Sequence, residues 1–171
     1  MIGAVAALWL WTAPAVAPQE PPPPAAHVAA ADSALAAFDP LLGKIWRGAS
    51  IADPAVIDEI TFERTAGGRA IRSVHSVNGG AYTGDTLITF DRASDQLVSF
   101  YATNAGFYTT GRVKILGPGQ FEFEQVVHGL DGVTEVRAQT TLTDGVYRIR
   151  SQHLIDGSWV ETGGFNYRPA D

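Results

Sequence analysis

From Ile45 onward, apolar and polar residues alternate with a period of two. Turn residues interrupt the runs about every ten positions, the pattern of an all-β chain. The alternation predicts strands over 45–50, 56–64, 69–77, 82–91, 96–103, 107–116, 120–128, 132–142, 145–154 and 158–167. In 120–128, Phe121, Phe123 and Val127 alternate with Glu122, Glu124 and His128. In 145–154, Tyr147, Ile149 and His153 oppose Arg148, Arg150 and Gln152. Such strands bury one face and wet the other. The breaks carry turn chemistry. Ala66-Gly67-Gly68, Asn78-Gly79-Gly80, Gly117-Pro118-Gly119 and Asp144-Gly145 supply a positive or preset φ. Asp131-Gly132 and Asp156-Gly157 lie between β-rich runs and predict hairpins.

Short connections force consecutive strands to pair antiparallel. A long meander closes into a barrel more readily than it stays open, because closure removes both edges. The expected fold is therefore all-β: an antiparallel up-and-down meander closed into a barrel of about 8–10 strands. No internal repeat is visible beyond the hairpin rhythm.

The chain before Ile45 is of another kind. Residues 1–17 carry an apolar run, Ile2 to Trp11, followed by small residues. That run is too short to span a bilayer but suits a signal peptide. Ala13-Pro14-Ala15 and Ala15-Val16-Ala17 are its candidate cleavage boxes. Residues 18–24 form a proline-rich linker of extended, solvated character. Residues 25–38 are alanine-rich, and Asp32 or Ser33 is placed to cap a short helix. Leu35 and Phe38 fall on one face of it, and Pro40 ends it. The helix is expected to close one end of the barrel. Residues 25–171 then form the barrel domain.

At 171 residues the chain holds one domain after its leader. Its formal net charge is −6 and no Lys/Arg cluster occurs. Nucleic acids and anionic membrane surfaces, which need concentrated positive charge, are disfavoured as partners. The absence of cysteine excludes disulfides, thiolate catalysis and zinc-thiolate sites. The expected location is periplasmic or secreted, with no integral membrane span once the leader is removed.

The stretch Leu42-Gly43-Lys44-Ile45-Trp46-Arg47-Gly48 resembles the G-x-W opening of lipocalin-like (calycin) barrels. It is most similar to small bacterial secreted domains of unknown function that begin pLLGxWxG. One extra residue separates Gly43 from Trp46 relative to lipocalins. The segment from Phe90-Asp91-Arg92 through Leu97–Tyr101 to Gly106–Gly111 resembles the middle hairpins of those domains. The likeness covers most of residues 38–167. It implies that Trp46 packs at the closed end against an Arg from the end of the last strand, here Arg168. Gly43, Trp46 and Arg168 are thus expected to be structural. A haem-binding branch, the nitrobindins, supplies an axial His close to the C-terminus. Here Trp159 to Asp171 contains none, and His153 is the nearest. No cofactor is expected, with haem as the minority alternative.

The histidines, His27, His75, His128 and His153, show no metal-ligand spacing. The last three sit on separate strands and meet only if the fold brings them together. Glu122 and Glu124 share a face that reads as a solvated edge; Glu135 and Arg137 read as an exposed ion pair. No G-x-S-x-G elbow and no phosphate loop occur. Phe100, Tyr101, Phe107 and Tyr108 flank the Thr103–Gly106 turn and are expected to rim a cavity, with His128 and His153 as further ligand contacts. The expected function is binding of a small apolar or amphipathic molecule in the lumen, without catalysis. The alternatives are a barrel isomerase or hydrolase using lumen His with Glu or Asp, and an interaction domain with a filled interior.

Overall fold

Every period-two run becomes a strand, and each strand pairs with the next. The computed structural model describes residues 25–170, with side chains from 28 onward. The leader at 1–17 and the linker at 18–24 lie outside the described residues. A helix, α1 (Ala25–Ala36), and a 3-10 turn (Asp39–Leu41) precede ten strands. These are β1 (Ile45–Ser50), β2 (Ile57–Thr65), β3 (Ala70–Val77), β4 (Tyr82–Asp91) and β5 (Gln96–Thr103). They continue as β6 (Tyr108–Gly117), β7 (Gln120–His128), β8 (Glu135–Thr143), β9 (Val146–Ile155) and β10 (Ser158–Pro169). All neighbours are antiparallel, and β1 closes the barrel on β10.

Three sequence expectations shift in detail. Asp32 and Ser33 do not cap the helix, because α1 begins at Ala25, and alanine's high propensity carries its first turns. Asp32 instead accepts a bond from Arg69 at 2.9 Å. Pro40 sits inside the 3-10 turn, where its missing N–H costs nothing. Asp156-Gly157 makes the expected tight hairpin with both residues at positive φ. Asp131-Gly132 lies instead in a longer connection, residues 129–134.

The helix end is plugged. Leu35, Phe38 and Leu41 are completely buried. The Phe38 and Phe121 rings stack at 4.0 Å, and the Ala37 carbonyl accepts from the Gly119 N–H at 2.8 Å. Trp46 is 1% exposed, and its indole N–H donates to the Leu41 carbonyl at 2.9 Å. Arg64 pairs with Asp39 at 2.6 Å and so ties the 3-10 turn to β2. Gly43 turns the chain into β1 at φ +68, a conformation L side chains avoid.

Trp46 is not clamped by Arg168. In the register Arg168 stands opposite Arg47, while Trp46 stands opposite Pro169. Strand alternation therefore puts Arg168 on the outer face, and it is exposed. The cation over the indole is Lys44, 5.4 Å from the ring centre. Arg168→Ala is expected to change stability by no more than about 0.5 kcal/mol, the range of surface substitutions; urea denaturation checks this. Likewise Arg137 lies over the Trp159 ring at 4.0 Å, and no Glu135–Arg137 ion pair forms among the described residues. Among the described residues no helix is long and apolar enough to cross a membrane.

Candidate functional site

A barrel of this many strands is wider than its smaller inward side chains can fill. At the helix end Trp46, Phe121, Tyr147 and Tyr167 occupy the interior. Further along, the inward positions are small: Ser73, Ala138, Ser151, Thr162 and Gly163. A cavity of about 500 Å³ remains there. Its walls are largely apolar, with Ile60, Ile88, Phe107, Phe123, Val127, Val136, Ile149 and Phe165 among the lining residues. Leu130, in the connection after β7, also lines it, at the end away from α1.

One wall is polar and connected. Asp58 on β2 is 2% exposed. It accepts from the Tyr167 hydroxyl at 2.8 Å, and His75 Nδ1 lies 3.3 Å from its Oδ2. His75 Nε2 is 2.9 Å from the Tyr101 hydroxyl, which is 2.7 Å from the Tyr82 hydroxyl. A carboxylate only accepts, so His75 donates through Nδ1, and in the neutral imidazole Nε2 accepts from Tyr101. Tyr101 in turn accepts from Tyr82. The wall is thus a directed chain of four donors ending on one buried carboxylate.

Two inward glycines make this chain possible. Tyr167 reaches Asp58 across β1 where β1 carries Gly48, and a Cβ at Gly48 would collide with the Tyr167 ring. Tyr101 reaches His75 across β4 where β4 carries Gly84, and a Cβ at Gly84 would strike both the Tyr101 ring and His75 Nε2. Each glycine opens a gap in the inner face through which a residue of the next strand but one is met.

Burial keeps the phenols neutral. It pushes Tyr101 far above the ordinary tyrosine value, with the Asp58 charge adding to the effect. Burial likewise raises Tyr167, helped by the Asp58 charge. Tyr82 is raised by burial. On β6, Thr109 is 2% exposed and its hydroxyl has no hydrogen-bond partner among the described residues. Thr109 lines the cavity directly opposite Tyr101 in the register.

His153, also in the lining, is lowered from its ordinary value by burial. The unfolded chain takes up that proton near pH 6.5 while the folded chain resists it. The contribution is therefore complete above the unfolded value and is lost as pH falls below it. Stability should decline between about pH 7 and pH 5, and the decline should be shallower in His153→Gln; urea midpoints across that range check it.

The sequence-predicted contacts separate by face. Tyr101, Phe107 and His153 line the cavity. Phe100, Tyr108 and His128 do not, because each is one position from an inward residue and so points outward. They stack along the barrel exterior, Phe100 on Tyr108 at 5.5 Å and Tyr108 on His128 at 4.6 Å. The turn between β5 and β6 does lie at the end opposite α1, as expected. Asp58, Tyr82, Thr109 and Tyr167 were not legible as site residues. For Asp58 and Tyr167 the signal was the inward Gly48 between them, visible only once the register is known. Among the described residues no three His, Asp or Glu side chains gather as a metal site.

No protein-family model matches the chain, and no curated protein matches it in sequence.

Proposed function

We propose that this barrel binds a small, largely apolar or amphipathic molecule in its lumen, admitted at the end opposite α1. The observation that carries this is the cavity of about 500 Å³ with apolar walls and one connected polar wall. That is the makeup of a small-molecule site: apolar area supplies affinity and a few fixed polar groups supply orientation. The plug at Trp46 and Phe38 supports access from the other end. Gly43, Trp46 and the closed barrel also support a lipocalin-like (calycin) relationship. Native mass spectrometry of the purified protein tests the reading directly, since a co-purifying ligand adds its mass. Environment-sensitive apolar dyes should bind with micromolar dissociation constants, roughly −8 kcal/mol. A folded protein that binds no apolar probe defeats the proposal. A bound haem mass with its visible absorption band would replace it, with His153 as the lumen imidazole to test.

A second reading rests on Asp58 and His75. A carboxylate that fixes one imidazole nitrogen leaves the other to move a proton, and Tyr101 stands at that nitrogen. This arrangement suits proton-transfer chemistry of an isomerase type. Deuterium exchange from solvent into an enolisable ketone, present with the native protein and lost in His75→Gln, would establish it.

Export to the periplasm or beyond belongs to the same reading and rests on the apolar run Ile2–Trp11 with the small residues after it. N-terminal sequencing of exported material should begin between Val16 and Glu20.

A further inference from the structure

We infer that the lumen selects a neutral alcohol, an apolar body carrying one hydroxyl, and rejects carboxylates; the inference rests on the binding function proposed above. Charge comes first. Among the described residues, none that lines the cavity is Lys or Arg. The lining instead contains the buried carboxylate of Asp58. A ligand carboxylate would lose its water and meet a like charge with no cation in the wall to offset it. His153 is held towards its neutral form by burial.

Hydrogen-bond direction then narrows the neutral classes. The chain of donors runs from Tyr82 through Tyr101 and His75 to Asp58. With their hydrogens committed to one another and to His75 along the wall, the phenolic oxygens keep lone pairs for a further donor. They call for a donor from the ligand. Directly across the β5–β6 pair, the buried Thr109 hydroxyl has no partner. A buried hydroxyl in that state is costly unless something in the cavity meets it. The wall covers this hydroxyl, and a turn of the side chain toward the lumen lets its O–H donate to an oxygen of the ligand. One ligand hydroxyl can do both, donating to a tyrosine oxygen and accepting from Thr109. A ketone meets only Thr109, and a hydrocarbon meets neither.

The test is displacement of a lumen dye from the full chain by 1-decanol, 2-decanone and decanoate, at about pH 8 where a carboxylic acid is ionised. The alcohol is expected to bind about tenfold tighter than the ketone and a hundredfold tighter than decanoate, one charge-free hydrogen bond and one uncompensated charge respectively. Thr109→Val keeps the shape of the side chain and should weaken both alcohol and ketone several-fold. Tyr101→Phe should weaken the alcohol and leave the ketone little changed, so the alcohol's advantage shrinks. Decanoate binding as tightly as decanol overturns the inference while leaving lumen binding intact. Equal binding of all three to the native protein and both variants overturns it as well. Displacement by none of them, with no dye bound, overturns the binding function itself.

Discussion

Trp46→Ala should lower the free energy of unfolding by about 3–5 kcal/mol, the cost of removing a large buried ring from a site that relaxes only in part. Trp46 is 1% exposed and packs against Tyr147, with ring centres 5.9 Å apart. Its indole N–H also holds the Leu41 carbonyl, so truncation leaves that buried acceptor without its donor. Leu41 anchors the 3-10 turn and, through it, the segment carrying Phe38 and Leu35. The plug should therefore loosen together with the ring. In a domain of this size the loss corresponds to a melting temperature lower by on the order of 10 °C. If ligand enters at the opposite end, as proposed, dye affinity measured well below the melting point should stay within about twofold, a shift of less than 0.5 kcal/mol. A stability loss near zero would mean that Trp46 does not hold the plug.

Ala138→Trp should abolish lumen binding and leave a folded barrel. Ala138 lies on β8 between Phe123 and Ser151 in the register, and all three line the cavity. Adding bulk to a well-packed core costs about 1–3 kcal/mol because side chains must move aside. Here the added ring has the cavity to enter, so the barrel should tolerate it while the space for ligand is lost. Dye affinity is expected to fall at least a hundredfold, about 2.7 kcal/mol. Circular dichroism should remain that of a β-sheet protein. The companion substitution is Phe100→Ser on the exterior, where Phe100 is 46% exposed. It should leave affinity unchanged. The reverse pattern, with Phe100→Ser damaging and Ala138→Trp harmless, would move the binding site to the stacked aromatics outside the barrel.

The legibility of each site residue followed from its kind of evidence in the chain. His153 is inward because β9 alternates cleanly and period two alone places it, and Phe107, one position before β6, continues that strand's inward face. Phe100, Tyr101, Phe107 and Tyr108 are aromatic neighbours around one turn, yet neighbours along a strand point to opposite faces. Only two of the four can share a lumen, and the structure places Tyr101 and Phe107 there. Arg168 shows the same limit. Its place near the C-terminus is right for the closed end, but the register sets it opposite Arg47 and on the outside.

Residues 45–167 determined by themselves the ten strands, their antiparallel order and the closed barrel. The reason is local: alternation fixes which face is buried, turn residues fix where strands end, and short connections leave sequential pairing as the economical topology. The alanine-rich segment likewise determined a helix before the first strand. What only the tertiary structure decided is which inward residues meet. Asp58 and Tyr167 lie far apart in sequence, as do His75 and Tyr101, and each pair is joined across an intervening strand at a glycine. The register and closure of the barrel set those encounters, and no periodicity within a single strand encodes them.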